Sequence, residues 1–152
     1  MSTVLAISRP TDWNFPLFVH VLGAMVLVGG LLTATSTLAF ARGDARFLRL
    51  GYWTLLAVAL PGLIVMRIGA EWIYRKEGWD DVDDEPAWIA IGGVTADIGG
   101  LVFLVSLVLG GVGVYRLREG RGSGWLKATL VISLVLLAAY VVATWAMAGK
   151  PD

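Results

Sequence analysis

Four long apolar runs, separated by short charged segments, make up most of this chain. The first run, from Trp13 to Ala41, holds 29 residues, and His20 is its only ionisable side chain. At about 1.5 Å rise per residue, a helix of this length crosses a hydrocarbon core of about 30 Å with some tilt. The first run therefore predicts a membrane-spanning helix.

The other three runs have similar lengths and predict three further helices. The four predicted spans are 13–41, 50–74, 87–115 and 126–148. The second span contains Pro61-Gly62, where the missing amide hydrogen predicts a kink. Only 16% of the residues are charged, against about a quarter in soluble domains, so one membrane domain over 1–152 is expected. We predict an all-α fold, an integral membrane four-helix bundle with up-down-up-down order.

The charges of the loops predict the orientation of this bundle. The loops 42–49 and 116–127 carry net charges of +2 and +3, whereas the loop 75–85 carries −4. Positively charged loops stay in the cytoplasm, so both termini and the acidic loop are predicted to lie on the outer side of the membrane, periplasmic or extracellular. We expect a multi-pass protein of the cell (inner) membrane that contacts the lipid bilayer. The zero net charge gives no indication of a nucleic-acid partner.

Seven residues on the third run, all small except Phe103, recur in alternating steps of four and three, which places them on one helical face. Neighbouring helix backbones can come close along such a face in lipid. We expect the third helix to be the central packing element. The face comprises Gly92, Ala96, Gly99, Phe103, Ser106, Gly110 and Gly113.

Polar side chains from all four helices are predicted to share one depth in the membrane. Counted from the outer ends of their helices, His20 and Arg67 lie about 12 Å deep, Tyr140 about 15 Å and Asp97 about 16 Å. An isolated charge at the centre of a bilayer costs about 2.5 kcal/mol or more, so such groups tend to pair. We predict an ion pair between Arg67 and Asp97, with Glu71 above it.

Each of these side chains also has a purely structural interpretation. Arg67 would extend to the outer interface with Glu71 as its partner four residues away. Asp97 would be a counter-charge that fixes the second helix against the third. His20 would be an interior histidine bonded to a backbone carbonyl or to Tyr140.

The chemistry available to the chain is narrow. It has no cysteine and one histidine, which excludes disulfides and the common zinc sites. No nucleophile lies beside a base, so we assign no catalytic residues.

The segment HVLGAMVLVGGLL, which begins at His20, joins a histidine to a Gly-Gly pair through about eight mostly apolar residues. It resembles the opening of small bacterial four-helix membrane proteins of the DUF2269 type. It is more distantly similar to the copper-resistance CopD group and to the membrane protoporphyrinogen oxidase HemJ. The resemblance covers the first helix and the four-span layout. It implies that His20 is a haem b iron ligand, which is the only metal role we assign. Met66 and Met147 would then be the candidate second ligands, since imidazole and thioether groups both bind haem iron. Tyr140 completes the set of candidate cofactor-binding residues.

Three functions remain open from the sequence. The main hypothesis is a structural or accessory subunit that contacts other membrane subunits or a second copy of itself. The second is a haem- or quinone-associated redox protein that uses His20. The third is a small transporter or proton pathway that uses Asp97, since ionisable groups within a membrane often mark ion pathways.

The predicted orientation can be tested with single cysteines introduced at Ser2 and Ser123. An impermeant thiol reagent applied to intact cells should label the cysteine at position 2, because the N-terminus is predicted to lie outside. It should leave the cysteine at position 123 unlabelled. Labelling at position 123 but not at position 2 would show that the orientation is the opposite of the predicted one.

Overall fold

The computed structural model describes residues 11–78 and 86–149, and this part of the chain forms four long helices joined by short connections. All four are long and apolar enough to cross a membrane. The predicted all-α four-helix fold is therefore confirmed. The helices are α1 (Asn14–Phe40), α2 (Ala45–Glu77), α3 (Ala87–Arg116) and α4 (Ser123–Gly149).

Helix α2 begins five residues before the predicted position. The side chain of Asp44 caps the helix, because its Oδ1 accepts a hydrogen bond of 2.7 Å from the backbone N–H of Arg46. Arg46 and Arg49 thus belong to the first turns of the helix, although their charge is typical of a loop. The other predicted ends differ from the observed ends by three residues or fewer.

The middle of α2 widens into a π-helical segment, Leu55–Ala59, directly before Pro61. Here the N–H of Leu60 bonds to the carbonyl of Leu55, five residues earlier. A proline ring collides with the carbonyl four residues before it and supplies no N–H, so a wider turn accommodates it. The irregularity predicted at Pro61 therefore takes the form of this π-helical segment. Beyond it, α2 continues as one element to Glu77.

Helices α1 and α2 form an antiparallel hairpin whose backbones touch at glycines. A Cβ atom on Gly62 would lie 2.5 Å from the backbone nitrogen of Leu27, and one on Gly30 would lie 2.9 Å from that of Ala59. Cβ atoms on two further glycines, Gly23 and Gly69, would overlap the backbones of Met66 and His20 respectively. Glycine is therefore required along this contact.

Helices α3 and α4 form the second antiparallel hairpin, and the small-residue face of α3 lies in it. Five of its residues and Phe103 are buried, and Ala96 is half-buried. The expectation that α3 is the central helix is wrong. Helix α1 packs along α2 and also contacts α4, so α1 joins the two hairpins.

Helices α2 and α3 meet mainly at one end of the bundle. There the ring of Tyr52 packs against Gly110, whose Cβ would lie 2.7 Å from Cδ2 of the tyrosine. We call this end, with the α1–α2 and α3–α4 connections, the inner end. Towards the opposite or outer end, α2 and α3 make few backbone contacts. The two backbones are therefore farther apart there than at the inner end.

The α1–α2 contact predicts opposite effects for two glycine substitutions. Gly69→Ala should lower the free energy of unfolding by about 1–3 kcal/mol, because the new methyl group meets the backbone of His20. Gly29→Ala is the matched control on the facing helix, since nothing lies within 4 Å of its Cβ position. It should be neutral or stabilising by up to about 1 kcal/mol. Unfolding in detergent measures both free energies. Equal losses of stability for the two variants would contradict the close contact at Gly69.

Candidate functional site

Arg67 of α2 and Asp97 of α3 form an ion pair between the two helices near the outer end. The guanidinium Nη2 lies 2.7 Å from the carboxylate Oδ1. Because the two backbones diverge here, the long arginine side chain spans the distance. The structure thus brings together the two charges that the depth estimate placed at one level.

This pair lies on the outside of the bundle. The side chain of Arg67 is 46% exposed and that of Asp97 is 60% exposed. Neither charge is enclosed among the four helices, so neither lies in an interior channel. In a bilayer both would face lipid or another chain.

Two further ion pairs continue from Arg67 towards the outer end of α2. Glu71 Oε1 accepts hydrogen bonds from Nη2 and Nε of Arg75 at 2.8 and 2.9 Å, so Glu71 pairs with Arg75 and not with Arg67. Lys76 Nζ lies 2.8 Å from Asp12 Oδ2 and ties α2 to the start of α1. The hydrogen bond from Lys76 lowers the pKa of Asp12 below its usual value. The outer end of α2 is therefore a row of paired charges.

His20 lies in the α1–α2 contact, with its Nδ1 3.0 Å from the backbone carbonyl oxygen of Met66. A carbonyl oxygen only accepts, so Nδ1 carries a proton and donates it. The close approach at Gly69 brings that carbonyl within reach. Of the two structural partners considered for His20, the backbone carbonyl is the one observed.

Tyr140 and Met147 lie in the other hairpin. The hydroxyl of Tyr140 is buried against Gly99, and it has no hydrogen-bond partner within the described ranges. The Cε atom of Met147 occupies the space that a side chain on Gly92 would need. Both glycines thus make room for large side chains of α4.

The four candidate cofactor residues do not share one interface. His20 and Met66 meet at the α1–α2 contact, through the methionine carbonyl, whereas Tyr140 and Met147 pack against α3. The α1 and α2 backbones touch at His20, so no porphyrin fits between them there. Over residues 11–78 and 86–149, no group of three or more His, Cys, Asp or Glu side chains converges. We therefore derive no chemistry through haem or a metal.

Sequence reasoning missed a row of hydroxyl groups between α3 and α4. The Oγ atoms of Ser106 and Ser133 lie 3.4 Å apart. Thr129 Oγ1 donates to the carbonyl of Trp125 at 3.0 Å and lies 3.5 Å from that of Ser106. Hydroxyl groups of this kind join membrane helices through hydrogen bonds. Ser106 belongs to the small-residue face that the sequence pattern identifies on α3. Its partners on α4, Thr129 and Ser133, belong to no comparable face, so the pattern does not indicate them.

Comparison of the chain with protein-family models, with curated proteins and with solved structures finds no match. The class of protein therefore follows from the helices alone: four apolar helices that fit a multi-pass membrane protein. Its distinctive polar feature is the exposed ion pair between α2 and α3.

A double-mutant cycle tests the ion pair. Arg67→Gln and Asp97→Asn should each lower the free energy of unfolding, because each leaves a charge without its partner. The double variant should recover part of the loss, with a coupling energy of about 1 kcal/mol in detergent. Glu71→Gln is the control, since it breaks an exposed pair within one helix that is worth about 0.3–0.5 kcal/mol. Strictly additive losses for Arg67 and Asp97 would show that the pair contributes nothing.

Proposed function

We propose that this chain is a small inner-membrane protein, bacterial in origin, that serves as an accessory subunit of a membrane complex. The face that contains Arg67 and Asp97 would bind a transmembrane segment of another subunit. The observation that carries this proposal is the half-exposed ion pair within the membrane-spanning helices. The periplasmic position of both termini rests on the loop charges and remains a prediction.

Lipid is a poor environment for such a pair. Charged groups within a span are costly, and they usually face a bundle interior, a water-filled cavity or a partner. Here they face outward, at a place where the backbones of α2 and α3 make few contacts. A partner helix with a hydroxyl or amide side chain at that depth would hydrogen-bond to both groups and shield them from lipid.

The surroundings of the pair fit a helix better than a single small ligand. An open cleft of about 490 Å³ on the outer half of α2 adjoins Arg67, and it is lined by Ile68, Glu71, Trp72 and Arg75. Ile68 of α2 and Ile98 of α3 are 57% and 59% exposed. Such a polar centre with an apolar surround is typical of helix contacts in membranes.

The alternative of an ion or proton pathway has less support. A pathway through the bundle requires Asp97 to face its interior, whereas 60% of this side chain is exposed on the outside. The haem hypothesis lacks a shared site for its candidate ligands. The accessory role is therefore the function that the geometry favours.

Site-specific photo-crosslinking in cells that express the full chain tests this role. A photoreactive residue at Ile68 or Ile98 should form an adduct of one defined mass with another membrane protein. Exposed positions on other helices, Leu32 of α1 and Val135 of α4, are the matched controls and should give none. Asp97→Asn should weaken the crosslink from Ile68, because the polar contact at the centre is lost.

Three outcomes would contradict the proposal. Equal crosslinking from all four positions, or adducts with lipid alone, would mean that no subunit binds this face. An adduct of twice the mass of the chain would identify a second copy as the occupant, and would replace the accessory role with a homo-oligomer.

A further inference from the structure

A second cleft, of about 400 Å³, opens at the inner end of the bundle where α3 turns into α4. It lies at the opposite end from the Arg67–Asp97 pair, and its argument is independent of the proposed accessory role. Its lining comprises Leu109, Arg116, Arg121, Gly122, Gly124, Trp125 and Ala128.

The rim of this cleft is positively charged. Arg116 and Arg121 both line it, and the guanidinium carbon of Arg116 lies 5.5 Å from the centre of the Trp125 ring. Within the described residues, no carboxylate forms an ion pair with either arginine. The cleft therefore presents two positive charges without an acidic partner. Arginine is well suited to bind a phosphate group, because its planar guanidinium donates two parallel hydrogen bonds.

The floor of the cleft is apolar and reaches into the span. Leu109 lies seven residues before Arg116 on α3, which is about 10 Å deeper in the membrane. Ala128 lies one turn deeper than Gly124 on α4. The cleft thus combines a charged rim at the membrane surface with an apolar wall at the level of the acyl chains. A phospholipid has the same order of groups along its length.

Glycine keeps the cleft open. Gly122 adopts φ +112°, a conformation that other residues rarely adopt, and it packs on the backbone of α3 at Gly113. Gly124 has no atom within 4 Å of its Cβ position, so the space beside it is free. Trp125, which is 39% exposed, follows at the depth where tryptophan favours the membrane interface.

We propose that this cleft binds one anionic phospholipid, with its phosphate between Arg116 and Arg121 and the start of an acyl chain against Leu109 and Ala128. Basic clefts between membrane helices on the cytoplasmic side are suited to anionic headgroups. A zwitterionic lipid would leave its ammonium group without a carboxylate in the cleft lining. Free phosphate would leave the apolar wall unused.

Native mass spectrometry of the full chain, purified in detergent, measures this binding with phosphatidylglycerol as the probe and phosphatidylcholine as the comparison. The wild type should retain one phosphatidylglycerol in preference to phosphatidylcholine. Arg121→Gln should weaken binding about five-fold, and further replacement of Arg116 should weaken it about five-fold again, the equivalent of about 1 kcal/mol per basic residue.

Two variants distinguish lipid binding in the cleft from a general attraction of anionic lipid to the basic α3–α4 connection. Gly124→Leu keeps both arginines but fills the free space, so it should also reduce phosphatidylglycerol binding by at least five-fold. Arg118→Gln removes the same charge from the same connection but outside the cleft lining, so it should leave binding unchanged. Circular dichroism of each variant verifies that the helices are intact.

Four results would overturn the proposal. If Arg118→Gln weakens binding as much as Arg121→Gln does, the attraction is diffuse. If Gly124→Leu has no effect, or if phosphatidylcholine binds equally well, the cleft is not the site of an anionic lipid. If millimolar inorganic phosphate displaces the lipid completely, the arginines bind a free anion and the apolar wall plays no part.

Discussion

The direct contact between the backbones of α1 and α2 is the constraint on which the rest of the bundle depends. Glycines recur seven residues apart on each helix, Gly23 with Gly30 and Gly62 with Gly69, and each faces the backbone of the other helix. Lipid offers little hydrophobic drive for helix association, so close packing must supply the stability. The hydrogen bond from His20 to Met66 depends on the same contact, since only a close backbone exposes that carbonyl to the ring.

Much of the fold follows from the sequence because hydrophobic length alone determines how many helices cross a membrane. The fixed rise of a helix likewise gives the depth of each charge, which is why Arg67 and Asp97 could be paired. The central helix could not be identified in this way. The glycines of α1 and α2 are separated by large residues and leave no visible stripe, whereas the conspicuous stripe on α3 packs mainly within its own hairpin and also receives Tyr52 of α2.

Depth along a helix does not determine which way a side chain faces. That direction depends on how all four helices are rotated against one another, which no single span encodes. The sequence therefore suggested a polar layer with a cofactor, whereas the structure separates its members into an exposed ion pair and two interfaces. The basic cleft was missed for a related reason. Its arginines and Trp125 come from two helices and the turn between them, and they meet only when α3 and α4 pair.

The pairing of the helices into two hairpins also bears on how the protein is made. Each hairpin joins helices that are neighbours in sequence, so little chain entropy is lost when its backbones dock. The glycine contact of the first hairpin is made by α1 and α2 alone, so it can form while the later helices are still being synthesised. The contact between α1 and α4, the first and the last helix, joins the two hairpins. Biogenesis therefore divides into one early local step, the α1–α2 hairpin, and later steps that wait for the last helix.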